Sequence, residues 1–167
     1  NYMELNTPGE PLVSVTIPTR DRESFIETAV NSVINQTYKN TEIIVIDDGS
    51  TDKTIEVLKQ YEPRICVLRQ DGSGPGAARN RGIEISKGSL IAFLDSDDYW
   101  LPDKLEAQVK KLINNPQLAL IGCGEHIDTP EGNRIFSVYG SESIGFEYIL
   151  LRCANFSGGT SGAVVRR

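Results

Sequence analysis

The chain has 167 residues, 39% hydrophobic and 24% charged, enough to bury one sizeable core within a single domain. Seventeen basic residues stand against 23 acidic ones, for a net charge of −6, and no Lys/Arg stripe tracks along the sequence, which argues against a nucleic-acid partner. Cys66, Cys123 and Cys153 are widely spaced with no CxxC pair, no basic-then-apolar leader opens the sequence, and no apolar run nears the roughly 18 residues of a membrane span. The expectation is a soluble cytoplasmic protein whose reduced cysteines are small core residues.

In chain order, residues 1–11 are set apart as an N-terminal extension and 12–167 form one domain. Four short β-branched runs, "VSVTIP" (13–18), "EIIVIDD" (42–48), "ICVLRQ" (65–70) and "SLIAFLD" (89–95), are nearly continuous in apolar residues, as strands buried on both faces should be. Between them "SFIETAVNSVINQ", "DKTIEVLKQY" and "GAARNRGIEIS" repeat apolar positions at helical spacing, and an amphipathic helix follows "DSDDYWLP". Alternating βα units of this length predict a three-layer α/β/α domain with a mostly parallel sheet. Ser24 with Glu27 has capping-box spacing, Pro102 suits a first helical turn, and Ser50 or Asp52 reads as a cap before "KTIEVLKQ". After Pro116, "LALIGCG" and "RIFSVYG" joined by "DTPEGNR" predict a hairpin; a helical "ESIGFEYILLRC", the loop "NFSGGTSG" and a short "AVV" complete the chain.

Ligands of an open parallel sheet bind outside the carboxyl ends of the strands. Pro18, Thr19, Arg20 and Asp21 follow the first strand, Asp47 and Asp48 the second, and Asp95, Ser96 and Asp97 the fourth. Asp21, Asp47, Asp48, Asp95 and Asp97 would repel one another there unless a cation or a donor-rich ligand joins them. A hard divalent ion bridging carboxylate and phosphate oxygens relieves that repulsion. Trp100 beside Tyr99 reads first as packing, and His126 as a partly exposed strand residue. "GSGPGAARNRG" has Arg79 where a dinucleotide fingerprint needs its third glycine, so it reads as a loop entering a helix that presents Arg79, Asn80 and Arg81.

"VSVTIPTRDR", then "AVNSVINQTYKNTEIIVIDDGSTDKT", then "GPGAARNRGIEISKGSLIAFLDSDDYWLPDKL" resemble, in order and spacing over roughly residues 12–115, the family 2 glycosyltransferases. The resemblance implies a GT-A fold, a nucleotide-sugar donor that is usually UDP-linked, an acceptor glycan or lipid-linked glycan, and displacement with inversion. It implies nucleotide contacts from Pro18, Thr19, Arg20, Asp21, Asp48, Arg79, Asp95 and Ser96, with Arg20-Asp21 standing where the family commonly has Tyr-Asn. It assigns Asp97, with Asp95, to Mg2+ or Mn2+. Cell-envelope polysaccharide synthesis and a place at the inner face of the membrane are family-level expectations. The resemblance also puts the catalytic base after the stretch matched by Ser161 to Arg167, so the domain is expected to be C-terminally incomplete. Glu125, Asp128 and Glu131 read as solvated residues in or near the hairpin turn.

Two other classes compete. A sugar-1-phosphate nucleotidyltransferase shares the layered sheet but carries a glycine-rich loop straight after its first strand, where this chain reads "PTRDR". A non-catalytic cation- or nucleotide-binding module could use "DDGSTD" and "DSDD", although neither has full EF-hand spacing.

Overall fold

The computed structural model describes residues 9–128, 132, 134–137 and 160–167. Strands β1 (Val13–Thr19), β2 (Thr41–Asp47), β3 (Cys66–Arg69) and β4 (Leu90–Phe93) alternate with helices α1 (Ile26–Ile34), α2 (Thr54–Lys59) and α3 (Pro75–Ile85). Helix α4 (Lys104–Asn114) follows, then β5 (Leu120–Ile121), the pair β6 (Glu125–Asp128) and β7 (Arg134–Ser137), a short 3-10 turn (Thr160–Gly162) and β8 (Val164–Arg166). The main sheet has the order β3-β2-β1-β4-β8-β5, with β1 to β4 parallel and β8 antiparallel to both its neighbours.

Alternation of side chains along the strands sorts the two faces. Val13, Val15 and Ile17 of β1, with Val45 and Leu90, pack against Ile26 and Val30 of α1, Leu58 of α2 and Leu105, Val109 and Leu112 of α4. On the opposite face Ile44 and Ile46 meet Ala78 of α3. Helix α3 lies so close to β1 that a Cβ on Gly82 would stand 2.2 Å from Thr16 Cγ2. The three-layer, mostly parallel expectation therefore holds, with α3 alone covering one face among the described helices.

Local signals shift by a few residues. The backbone N–H groups of Phe25 and Ile26 both donate to the Arg22 carbonyl, a turn that starts α1 at Ile26 and leaves Ser24 outside the capping position. Pro75, not Pro102, opens a helix; Pro102 lies in the turn before α4. Asp52 does receive the Thr54 N–H, at 2.9 Å, as a cap would. The hairpin pairs β6 with β7, whereas Leu120 and Ile121 of "LALIGCG" join the main sheet beside β8. Cys66 is exposed on β3, so it is not a core residue, and Cys123 is half-buried. Glu125, His126 and Asp128 lie on β6, while Glu131, Cys153 and the helical "ESIGFEYILLRC" fall outside the described residues. No helix among the described residues is long and apolar enough to cross a membrane.

Candidate functional site

The chain order runs outward from β1 to β3 on one side, then returns to place β4 on the other, so a crevice opens where β1 and β4 diverge. A cleft of about 390 Å3 lies there, lined by Pro18 and Thr19 at the end of β1, Arg20 and Arg22 after it, Asp48 after β2, Gly74, Pro75, Ala78 and Arg79 at and around the start of α3, and Asp95, Ser96 and Asp97 after β4. That volume suits a small organic ligand.

Each wall is held by a local reason. Asp48 is buried, and its oxygens accept from Gln70 Nε2 at 2.7 Å and from the backbone N–H groups of Ser73 and Gly74, each at 2.8 Å. Burial pushes this carboxyl up, but those donors and the nearby Arg20 charge outweigh it, leaving the pKa below the ordinary carboxylate value. Gly74, at φ 88°, allows the chain to turn from that carboxylate into α3.

Arg79 crosses the cleft from α3, placing a guanidinium nitrogen 2.5 Å from Asp95 Oδ1 and 3.2 Å from Thr160 Oγ1. Thr160 donates in turn to Asp95 Oδ2 at 2.9 Å. Because β8 runs antiparallel to β4, its leading turn lands beside the loop that follows β4. Ser161 Oγ accepts the Asp95 N–H and donates to Asp98, and the Trp100 indole N–H donates to the Ser161 carbonyl at 2.7 Å. Trp100 thus packs, as expected, and secures the acidic loop as well. Burial raises the Asp98 pKa, opposed by the Ser161 hydrogen bond and reinforced by the charges of Asp95, Asp97 and Glu125.

Of the five carboxylates expected at this edge, Asp48, Asp95 and Asp97 line the cleft. Asp47 is fully buried, 3.5 Å from Arg69 Nε and accepting the Ser50 N–H. Asp21, expected among the nucleotide contacts, lies outside this lining: at φ 50° it turns its Oδ1 to the Thr51 N–H, 2.7 Å away, and it ties the loop after β1 to the loop after β2. The Thr51 N–H is the main reason its pKa is lowered. Pro18, Thr19, Arg20, Asp48, Arg79, Asp95 and Ser96 all line the cleft.

Two participants escaped sequence reading. Arg22 lines the cleft with its Nε 3.5 Å from Asp97 Oδ2. Its only signal was membership of "TRDR". Thr160 reaches Asp95 from a point 65 residues later, and no local pattern announces that contact. Thr19 Oγ1 and Arg79 Nε, in residues that line the cleft, are buried without a hydrogen-bond partner.

Comparison with known proteins gives this cleft a family. A 38% identical stretch of 144 residues covers 84% of this chain and 57% of an uncharacterized glycosyltransferase of Haemophilus influenzae. A putative teichuronic acid biosynthesis glycosyltransferase, TuaG of Bacillus subtilis, is 44% identical over 108 residues, covering 62% of this chain and 43% of its own length. The chain therefore spans about half the length of these relatives. S. aureus TarS (1–349), solved in complex with UDP-GlcNAc, superposes with a TM-score of 0.57 at 28% identity, over 62% of this chain and 32% of TarS. The mostly parallel six-stranded sheet with its helices has the GT-A fold of such enzymes. Residues 14–162, which run from β1 to the turn holding Asp95, match the family described as Glycosyl transferase family 2, and the chain belongs to that family.

Proposed function

We propose that this chain forms the donor-binding part of a glycosyltransferase that takes a sugar from a UDP-linked donor and passes it, with inversion, to a glycan or lipid-linked acceptor. The observation that carries the reading is the cleft at the β1/β4 crevice. It joins an acceptor-rich wall at Asp48, cationic side chains at Arg20, Arg22 and Arg79, and an unsatisfied Thr19 hydroxyl. A uracil N–H suits Asp48, a carboxylate with acceptor lone pairs only. Ribose hydroxyls suit Asp95 and Ser96, and diphosphate oxygens suit arginine forks. TarS, which shares the fold at 28% identity, binds UDP-GlcNAc, and this supports a UDP-linked donor. The name of TuaG supports an envelope-polysaccharide acceptor.

Mg2+ or Mn2+ belongs to the same proposal. Among the described residues no group of three or more His, Cys, Asp or Glu side chains could hold a metal ion. The fit is instead that of an ion held by one carboxylate and by substrate phosphates, as Mg2+ often is. Asp97, with its side chain 49% exposed at the cleft, fits as that ligand, whereas both Asp95 oxygens are already engaged by Arg79 and Thr160. Bound there, the ion would neutralise charge gathering on the leaving diphosphate.

Titration calorimetry with UDP, with and without Mn2+, tests the proposal. UDP binding that Mn2+ strengthens is expected, with loss of the Mn2+ dependence in Asp97→Ala. A chain that ignores UDP but binds Ca2+ would be a cation module. One that turns over UTP with a sugar 1-phosphate would be a nucleotidyltransferase.

A further inference from the structure

We propose that Arg22 is a diphosphate-binding residue, held on Asp97 while the donor is absent and released to the diphosphate when a metal ion occupies that carboxylate. The inference rests on the donor reading above and deepens it by adding a residue and a coupling between the two ligands.

The cleft lining carries three arginines, Arg20, Arg22 and Arg79, against three aspartates, Asp48, Asp95 and Asp97. The other two arginines are placed against partners other than Asp97. Arg79 is tied to Asp95 and Thr160, and Arg20 stands 3.9 Å from Asp21 with its charge felt by Asp48. Arg22 differs because its backbone is fixed and its side chain is loosely held. Its N–H donates to Thr54 Oγ1 at 2.8 Å, and the preceding Asp21 is locked at φ 50° by Ser50 and Thr51. Its guanidinium donates to the Arg20 carbonyl at 3.4 Å and to the Asp21 carbonyl at 3.2 Å and stands 3.5 Å from Asp97, with both side chains of the ion pair more than two-fifths exposed. An exposed pair of this length is weak and readily exchanged.

A divalent ion on Asp97 competes with Arg22, because it takes up the carboxylate charge that holds the guanidinium and repels that cation in turn. Occupation by the ion therefore frees a planar fork of donors, already inside the cleft, for the anionic diphosphate that arrives with it. Metal and diphosphate thus favour each other through Arg22, and the coupling is reciprocal.

Arg22→Gln and the wild type are compared by two measurements: Mn2+ titration without nucleotide, followed by the electron-spin resonance of free Mn2+, and UDP calorimetry at saturating Mn2+. The variant should bind Mn2+ alone about two- to fivefold more tightly, since a weak competitor is gone. It should bind UDP about tenfold more weakly, since a charge-assisted donor is gone. Arg22→Lys, which keeps the charge and loses the fork, should restore wild-type Mn2+ affinity and only part of the UDP affinity. Unchanged Mn2+ affinity in Arg22→Gln overturns the storage role, and unchanged UDP affinity overturns the diphosphate role. Failure of the wild type to bind UDP at all would instead remove the donor reading itself.

Discussion

Arg79 on α3 and Asp95, two residues past β4, meet at 2.5 Å in the lining of the cleft, so the contact joins the helix packed on β1 and β2 to the loop that leaves β4. The pair is only part-exposed, and Thr160 bonds both members, so it is more ordered than a surface ion pair. Arg79→Ala should weaken UDP binding by about 1.5–3 kcal/mol, the range for hydrogen bonds to charged groups. Arg79→Lys keeps the charge but removes the Nε–H that is now buried without a partner, and it should recover only part of that loss. Calorimetry on both variants decides it; equal UDP affinity in Arg79→Ala and wild type would place the ligand elsewhere.

Gly82 gives a second prediction, about the fold that positions Arg79. A Cβ there would lie 2.2 Å from Thr16 Cγ2 and 2.7 Å from Oγ1. Thr16 is fully buried and β-branched, so it cannot swing aside. Gly82→Ala should therefore destabilise the domain by about 1–3 kcal/mol in chemical denaturation, despite the better helix propensity of alanine. Adding Thr16→Ala should return part of that loss. A Gly82→Ala variant as stable as wild type would mean that α3 does not sit this close to β1.

The parts that could be read in the sequence were those with local causes. Buried parallel strands write themselves as apolar runs, so β1, β2 and β4 begin and end within two residues of expectation, and Asp48, Asp95 and Asp97 were placed by the rule that ligands gather at strand ends. The parts that could not be read were decided by partners distant in sequence. Asp21 sits two residues past a strand like a ligand contact, yet the Thr51 N–H, 30 residues away, claims its oxygen. Thr160 becomes part of the site only because β8 pairs with β4 in reverse. Arg22 lay inside the quoted motif, but nothing in "TRDR" tells which arginine meets Asp97.

Asp48 makes a prediction about acid. The donors from Gln70, Ser73 and Gly74 outweigh burial and keep its pKa below 3.8, so the unfolded chain binds the proton more readily than the folded one. A depressed carboxylate contributes stability above its unfolded pKa and loses it as pH falls through the folded value. The wild-type melting temperature should hold from neutral pH down to about 4 and fall below it. Asp48→Asn puts an amide NH2 against one of these donors in either orientation, which costs about 1–3 kcal/mol at neutral pH. The gap between variant and wild type should then narrow below pH 4, as Asp48 itself protonates. A gap that stays constant down to pH 2 would show that the carboxylate charge is not what holds the loop.

Lys104 predicts the opposite slope. Its ammonium lies 3.7 Å from the Trp100 ring centroid, buried and without a hydrogen-bond partner, and burial pulls its pKa down from 10.5 to about 7. The ring face offsets part of the lost hydration, but a buried cation without an acceptor remains unfavourable. With the folded value below the unfolded one, the unfolded chain binds more protons between pH 7 and 10.5, so stability should rise with pH across that window. The penalty is fully present below pH 7, where both states are charged. Lys104→Met fills similar volume without the charge, so it should be more stable than wild type at pH 6, and its advantage should shrink steadily towards pH 10. Denaturant midpoints of the two proteins at a series of pH values give the difference, because titrating groups other than Cys123, whose charge is coupled to that of Lys104, cancel between them. A variant less stable than wild type at pH 6, or an advantage independent of pH, would mean that the lysine is charged and satisfied where it stands.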